Sequence, residues 1–172
     1  MASILNQKLL RQININSNFQ YGDLGKVLLL HGQVYHQIYG FNHKFEAYVA
    51  EGLAEFARKY QKKKSKLWIV EKSGTAIGSI AILEKSSKIG QLRWFLVHPD
   101  YQGLKIGKSL LEEAIIFSKK VGYKEIFLWT LSNLETAKII YEKAGFKLKE
   151  QKESFIWDRK LVEEFYILEL DN

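Results

Sequence analysis

The chain has 172 residues, of which 47% are hydrophobic and 13% aromatic, enough for one globular domain with a substantial core. It contains no cysteine, which excludes disulfides, thiolate metal sites and a cysteine nucleophile, and its four histidines, His31, His36, His43 and His98, lack zinc-ligand spacing. A formal charge of +7 favours anionic ligands without specifying one.

The amino terminus mixes Asn, Gln, Lys and Arg among apolar residues, unlike a signal peptide, and the run Val27 to Leu30 is far too short to span a bilayer. The chain therefore reads as cytoplasmic, with no membrane partner. Ile13-Asn14-Ile15-Asn16 alternates like a short edge strand. Val27 to Tyr39 and Lys44 to Tyr60 carry helical spacing, with Phe45, Tyr48, Val49, Leu53 and Phe56 on one stripe of the second helix. The lysine-rich stretch Gln61 to Lys66 reads as a solvated connection.

Leu67 to Val70 and Ala76 to Leu83 flank Glu71-Lys72-Ser73-Gly74, a hairpin signal, and Lys85-Ser86-Ser87-Lys88 turns into a third strand ending at Val97. Helix and strand alternate after this meander: Ile106 to Val121 with Gly122 as stop, Ile126 to Leu131, Leu134 to Ala144 with Gly145 as stop, then Phe146 to Lys149. Leu110, Leu111, Ala114, Phe117, Ser118 and Val121 mark the sheet-facing side of the first of these helices. Ser132-Asn133-Leu134-Glu135 has capping-box spacing for the second, and Phe165 to Leu168 is a candidate closing strand. One proline, no Gly/Ser-rich linker and no fixed-period repeat leave no sign of a boundary, so 1–172 is read as a single domain.

The most informative segment is the strand Leu92 to Val97, stopped by His98-Pro99 and followed by Gln102-Gly103-Leu104-Lys105-Ile106-Gly107-Lys108 at a helix start. The first N–H groups of a helix lack intrahelical partners and carry roughly half a positive elementary charge. A glycine-bearing turn there can wrap a pyrophosphate.

A strand ending Leu-x-Val-x-Pro, the Gln102 to Gly107 turn, and Ala137, Tyr141, Gly145 and Phe146 in register further on together resemble the GNAT N-acetyltransferase superfamily. His31-Gly32, Tyr35, Tyr39-Gly40-Phe41, Phe45-Glu46 and Leu128-Trp129-Thr130 also resemble the acetyltransferase half of bacterial proteins that join a MarR-type winged helix to a GNAT domain. The resemblance implies an α/β (α+β) fold: a mixed, mostly antiparallel sheet of about seven strands with helices on both faces, splayed after the fourth strand. It implies acetyl-CoA in the notch, its pantetheine arm against the backbone of Phe95, Leu96 and Val97. The pyrophosphate would then lie on the turn Gln102, Gly103, Leu104, Lys105, Ile106, Gly107 and Lys108. Tyr141 is the implied acid for the departing thiolate.

Acetyl transfer to an amine needs a positioned thioester, a neutral amine and a proton for the leaving sulfur. A phenol with an ordinary pKa near 10 stays protonated at neutral pH and suits that last task, so Tyr141 is the candidate catalytic residue. Lys105 fills the central small position of the family's turn; its Cβ costs on the order of 1 kcal/mol if the backbone is left-handed there, and its ammonium offsets this by pairing with phosphate. Leu134 replaces a family asparagine, with Asn133 one position early as a candidate cofactor contact. Gln91 and Trp129 occupy positions where relatives place a glutamate base, which leaves a water chain, Glu84, His31 or Glu46 for amine deprotonation. His31, Tyr35 and Tyr39, with Phe41, are expected to shape the acceptor site, and Trp157 to form a loop beside it or to plug the sheet.

The expected function is transfer of the acetyl group of acetyl-CoA to a primary amine, on a small molecule or a protein, by direct attack. A binding module that senses acetyl-CoA is the alternative. The scattered lysines and the lack of any recognised signature argue against a nucleic-acid partner, and the chain is read as a monomer or homodimer.

Overall fold

The computed structural model describes residues 13–170. The reading of the amino terminus before Ile13 lies outside the described residues. Strand β1 (Ile13–Asn16) precedes two helices, α1 (Asp23–Tyr39) and α2 (His43–Lys59). A meander follows, β2 (Lys66–Lys72), β3 (Thr75–Ser86) and β4 (Ile89–Val97). A short 3-10 turn at Pro99–Tyr101 leads to α3 (Ile106–Lys120), β5 (Glu125–Leu131), α4 (Glu135–Lys143), β6 (Lys147–Ile156) and β7 (Arg159–Glu169).

The seven strands form one sheet in the order β1-β2-β3-β4-β5-β7-β6, antiparallel throughout except between β4 and β5. β4 and β5 pair only where Ile89, Gly90 and Gln91 face Glu125, Ile126 and Phe127. Beyond Gln91 the ladder stops, so the last part of β4 has a free edge on that side. The sheet thus opens after the fourth strand, as the sequence resemblance implied.

Period-two alternation sorts the strand side chains to two faces. Trp68, Val70, Ile80 and Ile82 pack with Leu110, Leu111 and Ala114 of α3, while Leu67, Ile69, Ala81 and Leu83 pack with Val49, Leu53 and Phe56 of α2. Helices on both faces explain why β2 and β3 read as unbroken apolar runs. β4 departs from strict alternation: Ser79 pairs with Leu96 and Ala81 with Arg93, so Trp94 and Phe95 of β4 together oppose Ile80 of β3. This bulge puts Trp94 at φ 50 and is pinned by Ser79 Oγ donating to the Trp94 carbonyl at 2.6 Å. Arg93 and Trp94 consequently both face α2, and Phe95 and Val97 turn to the α3 side.

The structure corrects several expected boundaries. α1 begins at Asp23 rather than Val27, because the Asp23 carboxylate accepts the Gln20 N–H at 2.8 Å and fixes the first turn. The capping box at Ser132 and Glu135 does not form. Ser132 stays tied to the sheet through its N–H to the Val162 carbonyl (2.9 Å), and Leu134 occupies the cap position. β6 runs to Ile156 instead of stopping at Lys149; its mostly charged and exposed residues are held by the ladder to β7, so no apolar period marks them. β7 is correspondingly longer than Phe165 to Leu168 and sits between β5 and β6.

Candidate active site

A groove of about 1040 Å³ opens between the free edge of β4 and the start of α3. Phe95, Leu96 and Val97 form its floor, Gln102, Gly103, Lys105, Ile106, Gly107 and Lys108 one end, and Thr136, Ala137 and Ile140 of α4 the facing wall. The turn is shaped by two left-handed residues, Gly103 at φ 77 and Lys105 at φ 63. Lys105 is the N-cap of α3, and the first bond inside the helix, Ser109 N–H to the Lys105 carbonyl at 3.0 Å, leaves the N–H groups of Ile106, Gly107 and Lys108 ahead of it. Gly107 lets helix and strand approach: a Cβ there would lie 3.3 Å from the Phe95 ring. Gln102 Nε2 donates to the Val97 carbonyl at 3.2 Å and ties the turn to β4.

Of the turn residues expected to face a cofactor, Leu104 packs instead into the core beneath α3. Asn133 is exposed and outside the groove lining, where Leu134 stands in its place.

Tyr141 projects from α4 and is 4% exposed, between Phe95 at 5.6 Å and Phe146 at 5.7 Å. Burial drives its phenol well above the ordinary value, and the neighbouring Tyr35 phenol pushes the same way. α4 is anchored by Lys138, whose Nζ lies 3.3 Å from the buried Glu164 carboxylate of β7. Glu164 also accepts from Gln151 at 2.8 Å and from the Tyr166 hydroxyl at 3.0 Å, so the helix bearing Tyr141 rests on a satisfied polar network.

A second cavity of about 130 Å³ lies on the α2 side of the opening between β4 and β5 and includes Tyr141 in its wall. It meets the larger groove at Tyr35, Phe95, Leu134 and Ala137, which line both. Its roof is the β6–β7 hairpin tip, where Trp157 (φ 50) and Asp158 (φ 62) form a two-residue turn that normally favours Asn and Gly. The strain is held by contacts: Trp157 packs on Phe45 (4.8 Å), Phe41 (5.3 Å) and Tyr48 (5.3 Å), and Asp158 pairs with Lys44 at 2.6 Å. Arg159 donates to the carbonyls of Tyr39 (2.7 Å) and Gly40 (2.9 Å), clamping the hairpin to the end of α1.

The expected acceptor-side residues divide. His31 and Tyr35 line the second cavity, and Tyr39 lines the larger groove. His31 is 3% exposed and its Nδ1 lies 2.9 Å from the Val27 carbonyl, which requires Nδ1 to carry the proton and leaves Nε2 with a lone pair. Burial lowers its pKa to about 4, against the raising effect of that hydrogen bond, and the Arg93 charge lowers it further. Glu46 sits on an exposed part of α2 against Gly32, and Glu84 pairs with Lys64 at 2.6 Å; neither lines the groove or the smaller cavity. The sequence reading missed Arg93, Tyr48 and Glu163 as cavity residues. The available signal for Arg93 was a lone charge inside the apolar run of β4.

Residues 63–148 match the acetyltransferase (GNAT) domain. The chain belongs to the GNAT acetyltransferase family. An uncharacterized N-acetyltransferase of Schizosaccharomyces pombe is 32% identical over 120 residues, covering 69% of this chain and 73% of that protein. A probable N-acetyltransferase family 8 member 5 of Mus musculus is 28% identical over 112 residues, covering 60% of this chain and 49% of that one. Solved structures share the fold: an acetyltransferase from Streptococcus agalactiae has a TM-score of 0.77 at 22% identity, covering 93% of this chain and 99% of that chain. A putative acetyltransferase, yncA, from Salmonella typhimurium, determined with its cofactor acetyl-CoA, has a TM-score of 0.72 at 19% identity, covering 93% and 95%.

Acetyl-CoA is the family's cofactor, and the residues of the larger groove suit it. A strand edge without a ladder partner, a helix start with leading N–H groups, and the exposed ammonium-bearing side chains of Lys105 and Lys108 stand along one groove.

Proposed function

We propose that this GNAT protein is an acetyl-CoA-dependent N-acetyltransferase that acts on a primary amine by direct attack, with Tyr141 as the acid. The observation that carries this reading is that the cofactor-suited groove and the smaller cavity meet at Tyr35, Phe95, Leu134 and Ala137, with Tyr141 in the wall of the smaller one, 5.6 Å from the Phe95 ring. The backbone of Phe95, Leu96 and Val97 and the turn from Gln102 to Lys108 would hold the cofactor, with the Lys105 and Lys108 side chains beside its phosphates.

When bound, acetyl-CoA would supply an acyl carbon activated for attack by the amine and a thiolate as the leaving group. Tyr141 holds its proton on Oη throughout the working pH range, because burial disfavours the phenolate. Tyr141 would give that proton to the leaving sulfur and regain one from water, which takes up the proton lost by the amine. No carboxylate or cationic imidazole is required: His31 is neutral and Glu163 is the one carboxylate in the wall of the smaller cavity, 3.5 Å from Lys152.

Thiol release measured over a panel of amines tests this directly. Tyr141→Phe is expected to lower kcat by about 100-fold while the acetyl-CoA dissociation constant stays within about twofold. An unchanged rate removes Tyr141 from the chemistry. Tight acetyl-CoA binding with no amine-dependent release would instead make the protein a sensor of the cofactor.

A further inference from the structure

The wall of the smaller cavity carries two charged side chains, and they are not equivalent. Glu163 lies 3.5 Å from Lys152 Nζ. Arg93 makes no hydrogen bond and no ion pair among the described residues. Its guanidinium lies between two rings, 5.2 Å from the centre of Tyr48 and 5.0 Å from that of Trp94. α2 makes room for it with a glycine in mid-helix: a Cβ at Gly52 would stand 2.9 Å from Arg93 Nη1. Glycine is a poor helix residue, so its use here favours the position of the arginine over the stability of the helix.

Carboxylates on the neighbouring helix do not take up this charge. Glu55, one turn from Gly52, is bonded to Lys59 at 2.7 Å. That bond holds its carboxyl below the ordinary range, with a smaller contribution from the Arg93 charge. Next to Arg93 on β4, Gln91 Oε1 and Trp94 Nε1 are buried with no hydrogen-bond partner among the described residues. Buried polar atoms normally find partners, so this part of the wall offers Arg93 no hydrogen-bond acceptor that is already committed elsewhere.

A guanidinium fixed between aromatic faces is a preorganised fork for a planar anion. Its charge attracts a carboxylate and repels a second ammonium group. We propose that the acceptor is an amine that also carries a carboxylate, an amino acid docked by its carboxylate on Arg93. Polyamines, which bring a second ammonium, are disfavoured by the same charge, and simple alkylamines lack the group it attracts. The inference rests on the N-acetyltransferase reading for its chemistry but on Arg93 for its specificity, and the two fail separately.

The test compares L-leucine and L-phenylalanine with 3-methylbutylamine and 2-phenylethylamine, the same molecules without the carboxylate, in thiol release by the whole chain. The amino acids are expected to show kcat/KM about 100-fold above the matched amines, as for a site built to bond a group that the analogue lacks. Arg93→Gln brings kcat/KM for the amino acids down to the level of the matched amines in the same variant, whereas Arg93→Lys restores part of the difference through charge without the fork. Calorimetric acetyl-CoA affinity, equal in all three proteins, shows that each variant retains the fold. Simple amines used as well as the amino acids, or an Arg93→Gln loss shared equally by both classes, overturns the proposal. If acetyl-CoA binds and no amine is acetylated, the transferase reading fails. Titration of the two amino acids into the CoA-loaded protein then decides the docking separately: binding lost in Arg93→Gln upholds it, and no binding overturns it.

Discussion

The groove beside α3 encloses about 1040 Å³ and is made in large part of main chain and aliphatic side chains, whereas the cavity behind it encloses about 130 Å³ between Tyr35, Tyr48, Trp94, Trp129 and Trp157. Backbone N–H groups at a helix start are present whatever the side chains are, so the first region can hold a constant molecule while its sequence drifts. The polar side chains that the second region offers, His31, Gln91 and Arg93 among them, had to be buried or half-buried at some expense to be placed there.

That expense makes the widest difference between the two regions, and it appears in acid. His31 is neutral in the folded protein, with a pKa of about 4 against 6.5 for an ordinary histidine. The unfolded chain therefore binds the proton first as pH falls. Stability from this group is complete above pH 6.5 and is lost progressively down to about pH 4, by on the order of 3 kcal/mol. Denaturant midpoints at pH 7.5 and pH 4.5 read this loss directly. His31→Leu is expected to flatten the dependence between those two values; an equally steep loss in the variant would show that other groups cause it. The cofactor groove holds no buried histidine and contributes nothing of the kind.

The next break is steric and falls on the cofactor side. Gly107 faces Phe95, Ile140 and Val97, with the Phe95 ring 3.3 Å from where a Cβ would stand. Gly107→Val adds two further methyl groups into that contact, which pushes α3 away from β4 and costs about 2 kcal/mol of groove geometry, or about 30-fold in acetyl-CoA affinity. Calorimetry with acetyl-CoA measures it. KM for the amine should move by less than about threefold, because the substituted position is outside the smaller cavity. Equal effects on both ligands would mean that the two regions are one mechanical unit.

The same contrast explains what could be read in the chain and what could not. The cofactor side announces itself locally: Gly103 and Gly107 flank a helix start directly after an apolar strand, and Tyr141 follows at a fixed distance from Gly145. These are short-range patterns imposed by backbone geometry. Arg93 was hidden because strand alternation places it only if the strand is regular, and β4 is not. The bulge sits on Trp94 at φ 50, a conformation that a tryptophan gives no reason to expect. The β6–β7 hairpin was read too short because nearly all of β6 is exposed, and only its long-range ladder to β7 makes it a strand. Glu84 looked available as a base since nothing in sequence links it to Lys64, which reaches it across the sheet edge at 2.6 Å. Long-range pairing of this kind has no local signature.

The smallest effect concerns the residue where the backbone argument meets a side chain. Lys105 holds φ 63 at the cap of α3, a conformation that costs a residue with a Cβ about 1–2 kcal/mol. Lys105→Gly relieves that strain and returns part of it as unfolded-state freedom, about 0.5–1 kcal/mol, for a net gain of about 0.5–1 kcal/mol and a rise of about 2 °C in Tm. If the ammonium also pairs with the cofactor's phosphates, acetyl-CoA affinity moves the other way, falling about fivefold in keeping with an exposed ion pair of at most about 1 kcal/mol. Thermal melts and calorimetry on one variant thus give opposite signs. A gain in Tm with unchanged affinity would leave the cradle to main-chain N–H groups alone, and a loss in Tm would show that the left-handed cap is held by contacts of the lysine itself. The opposed outcome would explain why a strained lysine stands where glycine fits better: the strain is tolerated at the point where a fixed backbone site gains an adjustable charge.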